Sequence, residues 1–477
     1  MTVVGVIGSG PVGAATALTF LNAGYRVLMF DLGFTSQSNK DVQLLRSGMD
    51  AGKLKKLGDS IHPYDFDEFN QINSSGEHRN WFSSKGLGGF STIWGATWKP
   101  FTSLSSKEWE EAHRTANEMI FESVDPASQT LKLESQIRVS SRCSCFDFLE
   151  PQEFITNFNS GTNWNIKLAE SSLAVYENRC VMCGLCQQKC PTNAIWSSLG
   201  LIKSCKNIDN FKLIDHCFVE RFSESNTYIE LDTSVGQIQV DYLFIAAGPL
   251  ATSALILKSR SDLSSIFLAD TRMVTIPFLK LKSNKNHSGG FSLSGRDVDF
   301  ASTDDSKFQL HLQIYAHIDL FQERIQSQFP RFLHKLIAAA LGILKSRLYI
   351  GLLYVDSRLS GSLKLNWDKS LISQLVSDEV LSDHHEMLIQ AVNSLKKTFQ
   401  LWPIWKFAKF GGVGDSYHLG RIKGIDIGSY GEVSGSARTF AVGAAGLPVI
   451  EPGPITMTAM AHAIRSAKKL IENLPKF

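Results

Sequence analysis

Val3-Val-Gly-Val-Ile-Gly-Ser-Gly-Pro-Val-Gly13 decides how this chain begins to fold. Val3 to Ile7 is a short apolar run suited to a buried strand, and Gly8-x-Gly10-x-x-Gly13 follows it directly. An Ala-rich helix then extends to about Ala23, Gly24 stops it, and Arg26 to Phe30 predicts a second strand ending at Asp31. Strand, glycine turn, helix and second strand make a dinucleotide-binding unit. Gly8 permits the tight turn, Gly10 lets the backbone approach a pyrophosphate, and Gly13 lets helix and strand pack closely. The helix N-terminus offers amides and a positive dipole end to phosphates. Asp31 is placed to accept hydrogen bonds from a ribose diol. The motif alone does not separate FAD from NAD.

A second stretch carries redox chemistry. Cys180-Val-Met-Cys183-Gly-Leu-Cys186-Gln-Gln-Lys-Cys190-Pro191 has the C-x2-C-x2-C-x3-C-P spacing of bacterial ferredoxins. Thiolates at three-residue steps return sulfur to one centre and wrap a compact inorganic cluster. A structural zinc site usually uses two ligand pairs separated by a longer loop, so this spacing disfavours zinc, and it disfavours a disulfide knot. The expectation is one [4Fe–4S] cluster. In two-cluster ferredoxins the Cys before Pro serves the other cluster, so the fourth ligand stays open among Cys190, Cys143, Cys145 and Cys205. Cys217 completes the eight cysteines of the chain, and no second C-x2-C-x2-C exists.

Around these stretches the composition is that of a globular protein of two or three domains: 477 residues, 43% hydrophobic and 20% charged. A net charge of +2 argues against a nucleic-acid partner. The first residues show no charged n-region, apolar h-region or cleavage site and so predict no secretory signal, and thiols committed to a cluster favour a reducing, cytoplasmic setting. No apolar run is long enough to predict a spanning helix. Phe332 to Leu344, bounded by Arg331 and Lys345, comes nearest. Its length favours a buried helix, with a peripheral membrane contact or an apolar mouth as the other readings.

Further segments give the dinucleotide unit its context. Asp241 to Gly248 is an apolar strand ending in Ala246-Ala247-Gly248, and Pro249 opens a helix to about Leu257. Gly86-Leu-Gly88-Gly89-Phe-Ser91-Thr92-Ile-Trp94-Gly95 is a loop rich in Gly and hydroxyls. Ser416-Tyr417-His418-Leu-Gly420 precedes Glu451-Pro-Gly-Pro454-Ile455-Thr456, and an amphipathic helix follows to about Ile471. In this order the segments resemble the glucose–methanol–choline (GMC) family of FAD oxidoreductases. The Gly88-Gly89…Trp94-Gly95 form looks closer to its pyranose-oxidase-like and sugar-dehydrogenase branch. The resemblance covers the N-terminal unit, the glycine loop, the Ala-Ala-Gly strand end and about the last 65 residues; the middle carries little of it.

The resemblance implies that Gly8, Gly10, Gly13 and Asp31 hold the ADP half of FAD, with the Val219 backbone at adenine. It sets Gly88, Gly89, Ser91 and Thr92 along the pyrophosphate and isoalloxazine, with Ala247 and Gly248 at the neighbouring strand end. Glu451 takes the place of the family's usual Asp near the ribityl chain, and Ile455 and Thr456 cap the helix aimed at the flavin pyrimidine. His418 stands where the family places its catalytic base, the group that removes the hydroxyl proton. The family's second His or Asn falls at about Gly453, which has no side chain. The segment Lys307 to His317 alternates strictly, placing His311, Gln313, Tyr315 and His317 on one strand face. That face either meets solvent or roofs the flavin cavity, which makes His311 and His317 candidates for the missing role. His462, inside the last helix, reads as a packing or surface residue.

The expected fold class is α/β. A FAD-binding, Rossmann-like domain is joined to a β-sheet substrate domain, with a small ferredoxin-like cluster-binding insertion. The FAD-binding domain takes residues 1–139, 207–265 and 411–477, the insertion 140–206, and the substrate domain 266–410. The expected function is oxidation of an alcohol group, with electrons leaving the flavin through the cluster to a ferredoxin, cytochrome or quinone. The rivals are a ferredoxin-fed flavin reductase of a carbonyl or alkene, and an electron-transfer subunit without an alcohol substrate.

Overall fold

The computed structural model describes residues 1–33, 72–74, 84–122, 164–182, 186, 190, 192–281, 292–303, 308–316, 326, 329–368, 370–376, 384–411 and 419–474. Strand Val3–Ile7 and strand Arg26–Phe30 pair in parallel around helix Pro11–Asn22, with Pro11 in the first turn, where its missing N–H costs nothing. The sheet widens to five parallel strands in the order Thr439–Ala441, Tyr242–Ile245, Val3–Ile7, Arg26–Phe30, Phe211–Ile214. Distant stretches of chain thus converge on one sheet. The small side chains of Ala14 and Ala17 let the first helix pack on helix Thr456–Asn473, whose Ala461 and Ala463 lie in the same buried cluster. A three-stranded antiparallel meander, Val219–Glu224, Ile229–Thr233 and Gly236–Val240, lies in sequence between the strands Phe211–Ile214 and Tyr242–Ile245.

The second large unit is a seven-stranded antiparallel sheet. Its main path runs Leu401–Pro403, Met273–Lys280, Leu348–Val355, Gln309–Ala316, Ser294–Ser302, Trp164–Glu170, and Lys409–Phe410 pairs beside Met273–Lys280. Helix His385–Phe399 covers one face: Leu388, Ala391, Val392 and Leu395 share a core with Leu310, Leu312 and Ile314. The strand Gln309–Ala316 therefore presents His311, Gln313 and Tyr315 on the opposite face. That face is not open to solvent, since the three side chains are 1%, 3% and 3% exposed. A further sheet joins Gly420–Lys423, Ser265–Ala269, Ser362–Asp368, Ser370–Val376 and Ile72–Ser74.

The apolar stretch near residue 340 departs from expectation. It forms helix His334–Leu344, but only Leu341 is buried, so it is not a core helix. Apolar length fixes neither which side of a helix is covered nor whether anything covers it. Among the described residues no helix is long and apolar enough to cross a membrane. His462, in contrast, is fully buried in helix Thr456–Asn473.

Candidate active site

The glycine turn is built as its spacing requires. Gly8 has φ +100°, and a Cβ there would lie 2.6 Å from the Ala246 carbonyl oxygen. A Cβ at Gly13 would fall 1.9 Å from the Gly8 oxygen, so this close approach excludes any side chain. Gly10 is the opposite case, with no atom within 4 Å of its missing Cβ. Open space lies at the helix N-terminus, where phosphate binding is favoured. Asp31 accepts hydrogen bonds from the Ser9 amide (2.8 Å) and the Gly33 amide (2.7 Å). Burial outweighs those bonds and raises its carboxyl above the ordinary value. Asp31, Val219 and Ala247 line one cleft with Phe30, Lys85 and Lys258, with about 750 Å³ of empty space partly open to solvent.

The loop expected at the flavin sits directly on this turn. The Gly88 amide donates to Ser9 Oγ (2.8 Å), and a Cβ on Gly89 would meet Gly10 Cα at 3.2 Å. Both glycines have positive φ. The Ser91 hydroxyl donates to the Gly88 oxygen (2.6 Å) and the Thr92 hydroxyl to the Gly89 oxygen (3.1 Å), so both brace their own loop. Ser198, which no sequence motif singled out, ties the pieces together. Its hydroxyl donates to the Ser9 and Gly88 oxygens (2.9 and 3.0 Å), and its amide donates to Ser91 Oγ (3.0 Å). Ser198 follows the cysteine motif in the chain and so fastens that segment to both glycine turns.

Gly248 (φ +84°) ends the neighbouring strand and caps helix Pro249–Ser259. Glu451 is buried and accepts the Thr102 and Ser103 amides, each at 2.8 Å. Its carboxylate therefore anchors another loop. Ile455 caps helix Thr456–Asn473.

His311 meets Gly453. Gly453 has φ +115°, and a Cβ on it would stand 3.1 Å from both Cγ and Cδ2 of the His311 ring. The imidazole thus occupies the position from which a residue-453 side chain would grow. Its Nδ1 lies 2.7 Å from Asp299 Oδ1, and Lys99 Nζ reaches Asp299 Oδ2 at 2.5 Å. Burial would raise the Asp299 carboxyl, but the His311 hydrogen bond and the charges of His311 and Lys99 hold it well below the usual range. With Asp299 ionised, Nδ1 is the protonated nitrogen. Nε2 is buried with no hydrogen-bond partner among the described residues, and Asp297 Oδ2 lies 3.9 Å away. Further along the strand, Gln313 donates to Thr97 Oγ1 (3.1 Å), and the Tyr315 hydroxyl donates to Gln313 Oε1 (2.9 Å). Burial raises the Tyr315 and Tyr354 phenols, the latter above the ordinary range, so both stay neutral donors. Asp299, Lys99, Asp297, Tyr354 and Ser198 carried no motif. Only the pairing of distant strands and loops reveals them. His418 and His317 lie outside the described residues.

Cys180, Cys186 and Cys190 are partly buried and pack against the core of the seven-stranded sheet. Burial pushes the Cys186 thiol up to about 11; a Ser292 hydrogen bond opposes this, while Cys180 and Cys190 add to it. The Ala194 amide donates to Cys190 Sγ (3.3 Å). Among the described residues no group of three His, Cys, Asp or Glu could hold a metal ion; Cys183 lies outside them, with Cys143 and Cys145. Cys205 is buried beside the first helix and Cys217 in the core of the dinucleotide sheet, both in cores separate from the other three. Trp94, Trp98 and Trp196 pack edge-on or tilted at 6.0–6.4 Å between the glycine loop and the segment after the cysteines.

The family described as "4Fe-4S binding domain" matches residues 173–196. No curated protein matches the sequence. Among solved structures, pyridoxine 4-oxidase from Mesorbium loti superimposes with a TM-score of 0.59 at 12% identity, covering 98% of this chain and 99% of that one. Formate oxidase superimposes with a TM-score of 0.55 at 12% identity, covering 99% and 98%. Likeness at this identity speaks for the fold. The chain shares the α/β fold of these two oxidases, and the segment matching the 4Fe-4S model lies in sequence between the glycine loop and the strand Tyr242–Ile245.

Proposed function

We propose that the protein is a FAD-dependent dehydrogenase. It oxidises an alcohol group of a sugar, polyol or related secondary alcohol and passes electrons through a [4Fe–4S] cluster to a ferredoxin, cytochrome or quinone. The observation that carries this reading is the His311 imidazole seated on Gly453, in the place of the side chain that the family pattern lacks here. The glycine loop of the Gly88-Gly89…Trp94-Gly95 form supports the sugar-oxidising branch.

Gly8, Gly10 and Gly13 would hold the pyrophosphate, Asp31 the ribose, and Val219 the adenine, with Gly88, Gly89, Ala247 and Gly248 nearby. Ser91 and Thr92 brace that loop, Glu451 fixes the 102–103 turn, and Ile455 and Thr456, at a helix N-terminus, would face the flavin ring. Cys180, Cys183, Cys186 and Cys190 would hold the cluster. Bound there, FAD would accept a hydride and the cluster would carry single electrons. The protein's own part is to orient the alcohol and take its proton. His418 accepts the hydroxyl proton, the role its Ser-Tyr-His-Leu-Gly context supports. His311, fixed through Nδ1 by Asp299, turns Nε2 to the substrate hydroxyl, and two contacts orient that group where one would leave it free to rotate. Burial of both strand faces excludes water from around Nε2. An electron shuttle would have no use for an imidazole fixed through Nδ1 with its Nε2 left without a hydrogen bond among the described residues. An enzyme returning electrons directly to oxygen would have no use for a cluster. We place the enzyme in the cytoplasm, where its thiols stay reduced.

The test is anaerobic flavin reduction by an alcohol. His418→Ala should slow it by roughly 10²–10⁴-fold with FAD content unchanged. His311→Ala should slow it as well and raise the alcohol concentration needed for half-maximal rate. Wild-type rates in both variants would remove the alcohol site from these two residues.

A further inference from the structure

Helix His334–Leu344 carries apolar side chains into solvent. Leu336 is 68% exposed and Ile343 81%, and Phe332 in the turn before the helix is 82% exposed. Leu336, Ala339, Ala340 and Ile343 follow helical spacing along one exposed face, and Leu341 alone is buried. Two more exposed apolar residues lie at the same end of the seven-stranded sheet. Leu279 pairs with both Leu348, where the chain re-enters the sheet after the helix, and Trp402. This register sets Leu281 (56% exposed) and Trp402 (44%) beside the helix exit.

The charge along the segment that carries the helix has one sign. Arg331, Lys335 and Arg347 are exposed, Lys345 stands between them in sequence, and no Asp or Glu occurs from Arg331 to Arg347. Lys396 Nζ lies 5.6 Å from the Trp402 ring centroid. Cations rimming an apolar face, with an indole at the boundary, match a surface that is apolar inside and negative at its edge. A second copy of this chain would set one cationic rim against another, so self-association is disfavoured.

We propose that this end of the sheet docks on the surface of an anionic phospholipid bilayer. Phe332, Leu336 and Ile343 enter the acyl boundary by about 5–10 Å, as interfacial helices do, while Arg331, Lys335 and Arg347 meet phosphate headgroups. Trp402 anchors the margin. The inference concerns a face separate from the His311 cluster and does not depend on the reaction proposed there.

The test is flotation of the full chain with vesicles of phosphatidylcholine alone and of phosphatidylcholine mixed with phosphatidylglycerol. The protein should float with the mixed vesicles, remain largely free with phosphatidylcholine, and be released in part by salt. Leu336→Glu with Ile343→Glu should weaken binding by roughly tenfold or more. Both side chains are already exposed, so flavin content and near-UV circular dichroism should be unchanged. Lys335→Glu alone should weaken binding to mixed vesicles only. Failure of the wild type to float with mixed vesicles would overturn the proposal, as would undiminished flotation of the double variant. A dimer in sedimentation that the double variant abolishes, without vesicle binding by the wild type, would assign the face to self-association instead.

Discussion

Gly453 and His311 form one unit, joined across the boundary between the dinucleotide side and the seven-stranded sheet. Two physical requirements keep residue 453 a glycine: its φ of +115° and the ring 3.1 Å from its missing Cβ. They separate in a double-mutant cycle. Gly453→Ala alone should destabilise by about 1–2 kcal/mol from backbone conformation, plus the cost of displacing the ring. In a His311→Ala background the second cost vanishes and the first stays. Denaturant unfolding should therefore show coupling of about 0.5–3 kcal/mol between the two positions, and strict additivity would mean the ring does not press on Gly453. The sequence exposed part of this unit. Alternation from Lys307 onward put His311, Gln313 and Tyr315 on one face, and the family pattern marked 453 as lacking a side chain. The partners of His311 were not legible. Lys99 is 200 positions from Asp299 in the chain, and no local pattern reports a strand register.

Helices show the same division between local and long-range information. Apolar spacing predicted the last helix to about Ile471, and it runs Thr456–Asn473. What it packs against was not readable. Helix Lys107–Glu122 brings Trp109 between His113 and His462, with ring centroids 5.8 and 6.1 Å away, and Arg465 sits over the indole at 4.2 Å. Burial, aided by the Arg465 charge, lowers His113 to about 4 and His462 to about 3. Both imidazoles are neutral when folded, and each takes up a proton on unfolding below its ordinary value of about 6.5. Stability should thus be full above about pH 6.5. As pH falls toward 4 it should drop by up to about 1.4 kcal/mol per pH unit for each group. Replacing His462 by Phe should flatten the acid limb of stability, measured by denaturant unfolding from pH 7 to about pH 4.5. An unchanged slope would show that these imidazoles do not titrate as buried neutral groups. Helix His334–Leu344 gives the contrary lesson: apolar length suggested a core, and the fold leaves that helix on the outside.

The whole molecule sets two kinds of information side by side. The cysteine motif was legible because its four Cys fall within eleven consecutive residues, so its spacing can be read locally. The dinucleotide unit was legible for the same reason, its turn, helix and strand being contiguous. The side-chain cluster around His311 is assembled from the 95–99 loop, three strands of the large sheet and the turn at Gly453, so only the folded chain displays it. Ser198 links the two kinds, binding the segment after the cysteines to Ser9 and Gly88. The central claim is that an alcohol oxidised beside His311 sends its electrons to the [4Fe–4S] cluster. The direct measurement is anaerobic titration of the holoprotein with sugars, polyols and secondary alcohols, following the flavin absorbance band and low-temperature EPR together. At least one alcohol should bleach the flavin and then give the signal of a reduced [4Fe–4S] cluster, while Cys186→Ser protein should show the bleach alone. Flavin that no alcohol reduces, yet that takes electrons from dithionite through the cluster, would contradict the account and make the protein a reductase.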